Sequence, residues 1–519
     1  MTELALRLYD TLTKTTKLLS PKRDGEVRIY TCGPTVYDDA HVGHARAALA
    51  PDTLVRHLRA LGLKVTYARN ITDVDDKILQ RSSESGEEPT ALSARMAERY
   101  HEDIRALGCV EPEVEPKVSE HIAQIIATIE RIIEHGAGYV VDLGGGVQDV
   151  YFAVRSFAGY GKLSGRKLED MRVGARVEAS EHKRDPLDFA LWKGCSEDGW
   201  GWPSPWGKGR PGWHIECSAM SAEYLGHGFD VHCGGMDLIF PHHENEIAQA
   251  EAACPDGGDF VGLWMHNGFV NVDKEKMAKS LGNFVTIRDV YRRYDPEALR
   301  YFLLGVHYRG PIGFDTDKRD DGRVVFPGIA EAERRLDYLY GTVERLTDLA
   351  TEQGEPTAAG AKPPKEIGAA RRVVDEAPGK LCAALDDDLN TPVALAVLAE
   401  LGTVANEICD LAQKRRKDAR FRSAARALAT DTLAAIREAG GRLGVLETEP
   451  AEYRRRTQTL RLSLAGLSAD AIEEKIAARK QARKDKDFAA ADGIRDELVR
   501  LGVELADTPT GTIWHLAVI

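Results

Sequence analysis

The sequence predicts an α/β protein: a parallel-sheet domain interrupted by an insertion, then an α-helical bundle, then a small C-terminal unit. Three observations carry this prediction. A strand–helix–strand pattern runs from Val27 to Ala68. A second strand–helix pattern appears at Phe229 to His232 and Glu244 to Ala253, after a stretch of different character. Beyond about Gly310 the apolar spacing becomes almost purely helical.

Val27-Arg28-Ile29-Tyr30-Thr31 reads as a buried strand, followed by a Cys-Gly-Pro turn and a helix starting near His41. Lys64 to Ala68 is the next strand, and this spacing makes a parallel βαβ unit with its ligand at the carboxyl ends of the strands. Residues 138–206 are rich in Gly, Trp, Pro and charge, with short strand-like pieces such as Val150 to Val154, and read as an insertion. The domain boundaries follow: 1–137 and 207–310 for the two halves of the sheet domain, 311–449 for the bundle and 450–519 for the C-terminal unit. Amphipathic stretches lie near 328–350, 366–385, 390–412 and 420–440. Asn390 or Thr391 is placed to cap the third of these, with Pro392 in its first turn. From Pro450 onward the chain turns basic, with Arg454, Arg455, Arg456, Arg479, Lys480, Arg483 and Lys484 as candidate phosphate contacts.

A chain of 519 residues exceeds one hydrophobic core. Its 43% hydrophobic and 29% charged content is that of a globular protein. Apolar runs long enough to span a membrane are lacking, as is a signal-like N-terminus, so a cytoplasmic protein without membrane attachment is expected. Eight cysteines are too few for a disulfide scaffold, which points to reduced thiols used for packing, metal or catalysis. A net charge of −13 excludes a wholly basic nucleic-acid binder and leaves local basic surfaces open.

His41-Val42-Gly43-His44 opens the first helix, where free N–H groups and the helix dipole attract phosphate. Two imidazoles there can donate to a phosphate oxygen as charge builds, and Gly43 leaves room for a flat base. Lys276-Met277-Ala278-Lys279-Ser280 can close over a triphosphate and neutralise the departing pyrophosphate. Alone, each has a bland reading as helix-start histidines or a solvated basic loop. Together, in this order, they resemble the paired signatures of class I aminoacyl-tRNA synthetases.

Cys32 ends the first strand, Cys217 sits in Gly212-Trp213-His214-Ile215-Glu216-Cys217-Ser218, and His242 and Glu246 lie four residues apart. Two thiolates, an imidazole and a carboxylate make a plausible zinc set, although a buried cysteine taken singly is more often core. Five segments then narrow the family: Thr31 to Tyr37, Asn70 to Lys77, Arg184 to Lys193, Pro211 to Ser218 and Phe240 to Ala248. They resemble cysteinyl-tRNA synthetase, and the likeness extends to the tail Asp507 to Thr512.

That resemblance implies a Rossmann-like catalytic domain with a connective insertion, a helical bundle and a small anticodon-binding domain. It implies a ligase that activates L-cysteine with ATP and Mg2+, then charges tRNA(Cys), acting as a monomer. By it, Cys32, Cys217, His242 and Glu246 hold one Zn2+, while His41, His44, Lys276 and Lys279 carry the ATP chemistry. Thr72 and Trp213 shape the amino-acid pocket, Asp237 approaches the ribose, and His232 lies near the substrate carboxylate or the metal. Ala278 and Val42 depart from the residues usual in the two signatures, and Cys233 replaces a frequent glycine; it reads as a buried small residue. The insertion is too short for the large editing domain of the Ile, Val and Leu enzymes. Zinc selects a thiolate instead, and a site that demands one specific bond rejects an analogue lacking it by roughly 10⁴ to 10⁵. Two rivals remain: a ligase joining cysteine to an amino-sugar inositol, which needs no anticodon reader, and a non-catalytic RNA-binding paralogue.

Overall fold

The computed structural model describes residues 4–169, 182–272, 275–276, 284–319, 324–353, 363–508 and 511–518. Four parallel strands form the central sheet: β1 (Glu26–Thr31), β2 (Lys64–Arg69), β3 (Phe229–Gly235) and β4 (Val261–Asn267), in the order β4-β3-β1-β2. They are nearly continuous buried runs, as a sheet covered on both faces requires. Helix α1 (Val42–Ala60) crosses from β1 to β2; α2 (Trp213–Leu225) leads into β3 and α3 (Glu244–Ala253) joins β3 to β4. Strand order reverses between β1 and β3, where Thr31 lies opposite Cys233. In an open α/β sheet that crevice is where ligands bind.

The insertion is a four-stranded antiparallel sheet of Gly138–Gly144, Val147–Phe152, Phe189–Gly194 and Gly209–Pro211. Pro211 pairs with Trp192, so the inserted sheet runs five residues past 206. A three-residue strand in a Gly- and Pro-rich stretch has too few side chains to display alternation. The apolar side of this sheet shares a core with the helix Ile122–Glu134 and with α2 through Ile129, Phe152, Trp192 and Ile215.

The bundle consists of α4 (Pro327–Thr351), α5 (Lys365–Asp386), α6 (Thr391–Lys414) and α7 (Ala419–Leu443). Each lies within three residues of the expected helix bounds. Asn390 caps α6, its side chain accepting the Val393 N–H, and Pro392 stands in the first turn. By length and composition α6 is apolar enough to cross a membrane, and more than half of its most apolar stretch is buried inside the bundle.

Helix α8 (Pro450–Ala465) follows, then the helices Ala469–Lys484 and Phe488–Arg500 and the hairpin Val503–Thr508 with Gly511–Leu516. Ile472, Ile476, Leu498, Val503 and Leu516 give this end its own small core. Tyr453 of α8 stacks on Tyr340 of α4 at 3.9 Å. Four of the seven candidate phosphate contacts have carboxylate partners within the chain. Arg454 pairs with Glu344, Arg456 with Asp295, and Arg479 and Arg483 both with Asp507. The helices lay these residues against acidic neighbours from distant sequence. Among the described residues only Arg455, Lys480 and Lys484 of the seven lack a carboxylate partner.

Candidate active site and metal centre

The sheet's reversal point carries a cleft of about 410 Å³, walled by Cys32, Gly33, Tyr37, His41, Gly43, His44, Lys77, Trp213, Asp237 and Phe284 among others. One end is built on the start of α1. His41 is its N-cap: His41 Nδ1 accepts the Gly43 N–H at 3.0 Å, and His44 Nδ1 accepts the His41 N–H at 3.2 Å. The two rings stack at 3.8 Å. Because each Nδ1 accepts, a neutral ring carries its proton on Nε2, and both rings present a donor beside the helix N-terminus. Asp237 stands across the cleft in the turn after β3.

The chain on either side of the lysine segment is described, and its downstream side reaches this end. Lys276 extends a short strand whose backbone pairs with Asn271, and Lys279 lies outside the described residues. The chain returns at Phe284, whose ring meets His41 edge-on at 5.1 Å. Val42 N–H then donates to Val285 O at 3.2 Å and Ile287 N–H to Ala40 O at 2.9 Å. The chain downstream of the segment is thus anchored beside His41.

The other end holds the thiols. Cys32 Sγ lies 3.5 Å from Cys217 Sγ, 3.5 Å from His242 Nε2 and 3.3 Å from Glu246 Oε1, and His242 Nε2 is 3.0 Å from that same oxygen. All four ligand atoms fall within 4.8 Å of one another. Zinc bonds of about 2.3 Å to sulfur and about 2.0–2.2 Å to nitrogen and oxygen need ligand–ligand edges of about 3.3–3.8 Å, so this set fits with slight expansion. Glu246 Oε2 is buried with no hydrogen-bond partner among the described residues, which a cation would remedy. Burial pushes the Cys32 thiol and the Glu246 carboxyl well up, towards their neutral forms. A divalent ion reverses that preference.

The one non-helical residue in the turn before α3 is Phe240, with φ −141° and ψ 131°, and it precedes His242. His242 and Glu246 therefore stand one turn apart on the same helical face, their side chains 3.0 Å apart. His214 supports the His242 ring: the Nδ1 atoms of His214 and His242 are 2.9 Å apart. Burial holds His214 neutral, so it can accept the His242 Nδ1 proton and leave Nε2 for a metal. Trp213, 38% exposed, stacks on the His242 ring at 4.5 Å.

His232 is fully buried behind Cys32, with Nε2 3.3 Å from that sulfur, and is not on the cleft wall. With His243 it makes a second, overlapping ligand set that shares Cys32 and Glu246. The first set has two thiols to the second's one. A further histidine, His266, has its Nε2 2.7 Å from His243 Nδ1. Thr72 is also buried, its hydroxyl accepting from Asn70 Nδ2 at 3.1 Å. Cys233 faces the opposite side of β3, against Met265, and packs as core. Sequence reasoning did not single out His214, His243, His266 or Asn70. His214, His243 and Asn70 lie inside the motifs quoted, and only the fold reveals their contacts.

Family comparisons agree with this construction. The model described as tRNA synthetases class I (C) catalytic domain matches residues 18–321. The DALR domain model matches residues 380–447, and the cysteinyl-tRNA ligase anticodon binding domain matches residues 466–514. The last match speaks against an acceptor that needs no anticodon reader. A cysteine–tRNA ligase of Anaeromyxobacter dehalogenans is 49% identical, over 99% of this chain and all of its own. One from Alkalilimnicola ehrlichii is 46% identical, over 98% of this chain and 99% of its own. Methionyl-tRNA synthetase of Mycobacterium tuberculosis in complex with methionyl-adenylate shares the fold: its TM-score is 0.58 at 17% identity, covering 86% of this chain and 94% of that one. A signature-bearing helix start, a thiol-rich cluster across the same cleft and matches along nearly the whole length place the chain in the cysteine–tRNA ligase family of class I synthetases.

Proposed function

We propose that this chain activates L-cysteine with ATP and Mg2+, then transfers it to the 3′-terminal adenosine of tRNA(Cys), with zinc held by Cys32, Cys217, His242 and Glu246. The observation that carries this reading is the juxtaposition, in one cleft, of the His41–His44 helix start with Cys32, through which the buried four-ligand cluster meets the cleft wall. Bound there, zinc would supply a strong bond to a thiolate and a poor one to a hydroxyl.

The chain's own residues do the rest. His214 fixes the His242 ring, and buried His232 walls the cluster from behind. Trp213 covers the His242 face, while Thr72 and Asn70 hold the floor under the amino acid. His41 and His44 donate from Nε2 to the α-phosphate side of ATP as its charge grows, and Gly43 leaves space for the adenine. Asp237 accepts from the ribose, and Lys276 and Lys279 neutralise the departing pyrophosphate. The cysteine carboxylate attacks the α-phosphorus to give cysteinyl-adenylate, and the terminal 2′-hydroxyl of the tRNA then displaces AMP. The bundle supports the inside of the tRNA, and the C-terminal unit reads its anticodon.

The test is pyrophosphate exchange by the purified full-length chain with each amino acid in turn, followed by charging of purified tRNA(Cys). Exchange that depends on cysteine, together with charging, supports the reading. Exchange with another amino acid, or none with cysteine, overturns it.

A further inference from the structure

Three charged residues lie on the described wall of the cleft: Arg69, Lys77 and Asp237. Arg69 is already engaged, with Nη2 2.8 Å from Glu115. Lys77 is not. Its neighbours on the chain are both occupied: Asp75 caps the helix Asp76–Ser85 by accepting the Lys77 N–H at 2.7 Å. Asp76 is held by Lys193 at 2.7 Å and Arg210 at 2.6 Å. Among the described residues no carboxylate comes within 4 Å of Lys77 Nζ. The ammonium stands instead between two aromatic rings, 5.5 Å from the centre of Tyr37 and 6.0 Å from that of Trp213. Such rings attract a cation without neutralising it, so it stays available to an anion.

The position of Trp213 links this cation to the thiol end of the cleft, because the same ring stacks on His242 at 4.5 Å. A small amino acid held by its sulfur beside His242 has its carboxylate within a short span of Trp213. We propose that Lys77 recognises the carboxylate of the substrate amino acid, acting as its second anchor opposite the thiol site. This rests on the function proposed above. The ammonium fixes the carboxylate that attacks ATP and offsets its repulsion from the phosphates. Selection then demands both ends of cysteine: a thiol for the cluster and a carboxylate for Lys77.

The test compares cysteine with cysteamine, which keeps the thiol and amine and lacks the carboxylate, in wild type, Lys77→Met and Lys77→Arg. Wild-type exchange with cysteine is measured first; its absence would count against the function proposed above and not against this assignment. In Lys77→Met the cysteine KM in pyrophosphate exchange should rise about ten- to a hundredfold, the range for a lost charge-assisted hydrogen bond. Inhibition by cysteamine, the KM for ATP and metal content should stay at wild-type levels, and Lys77→Arg should recover part of the loss. Equal weakening of cysteine and cysteamine would overturn the assignment. So would a normal cysteine KM with a raised KM for tRNA, which would assign the cation to a phosphate of the tRNA end.

Discussion

Replacing Gly33 with alanine should weaken metal binding although every proposed ligand residue is retained. A Cβ on Gly33 would stand 1.6 Å from the carbonyl oxygen of Asn70, where ordinary contact begins at 3.4 Å. The turn after β1 must therefore move by a distance well over an ångström. It is tied down at the same point, because the Gly33 N–H donates to Asn70 Oδ1 at 2.9 Å. Cys32 is the adjacent residue and must move with it, whereas metal–ligand distances tolerate only about 0.2 Å. Even if Asn70 absorbs half of the shift, Cys32 Sγ leaves bonding range. Metal affinity should fall by at least about 10- to 100-fold, the usual effect of losing a supporting residue. Stability should fall by about 1–3 kcal/mol, the cost of overpacking. The assay is zinc titration against a chromophoric chelator, with the cysteine KM measured on the same preparations. Gly341→Ala, at a helical glycine with open space around it, is the control and should change neither. Unchanged zinc affinity and unchanged cysteine KM in Gly33→Ala would refute the geometry.

Other outcomes follow from the same contacts. His44→Ala should slow adenylate formation by about 10²- to 10³-fold, as expected for one donor to a developing charge, with little change in cysteine KM; a raised KM at normal rate would place His44 in the amino-acid pocket instead. Burial pushes the Glu333 carboxyl up to about 7, against the opposing pull of Arg461. The folded chain then keeps a proton that the unfolded chain releases, so this group's contribution to stability falls as pH rises from about 4.5 to 7. Glu333→Gln should remove on the order of 2–3 kcal/mol of that decline, read from denaturant unfolding at pH 5 and 8; an unchanged difference would contradict it. Truncation after Thr448 spares the Arg56–Glu447 pair and should preserve cysteine-dependent exchange while impairing charging. With only Arg455, Lys480 and Lys484 of the seven cations lacking a carboxylate partner among the described residues, it should flatten the logarithmic salt slope of tRNA binding by about 2–3. A loss near 6 would mean that the internal ion pairs open on tRNA.

Long periodic elements were legible in the sequence because their pattern is set by burial alone. The bundle helices and the strands at Val27 and Phe229 needed only apolar spacing, and Asn390 with Pro392 spelled out a helix start. The strand Gly209–Pro211 was not legible, since its pairing with Trp192 depends on a partner rather than on its own side chains. The four metal-ligand candidates followed from the family resemblance, and the fold brings them within 4.8 Å. What surrounds them did not follow. The His214–His242 contact, the Asn70 clamp on Gly33 and the acidic partners of Arg456 and Arg479 each join segments that sequence spacing leaves unrelated.

The role of the cluster in choosing the substrate is tested most directly by comparing metal-stripped and zinc-restored protein in pyrophosphate exchange with cysteine and with serine. Stripped protein should lose cysteine activation and regain it on adding zinc. The zinc-restored protein should favour cysteine over serine by roughly 10⁴ or more. Full cysteine activation without metal, or comparable activation of serine with zinc bound, would contradict the assignment of Cys32, Cys217, His242 and Glu246 as the thiol-selecting site.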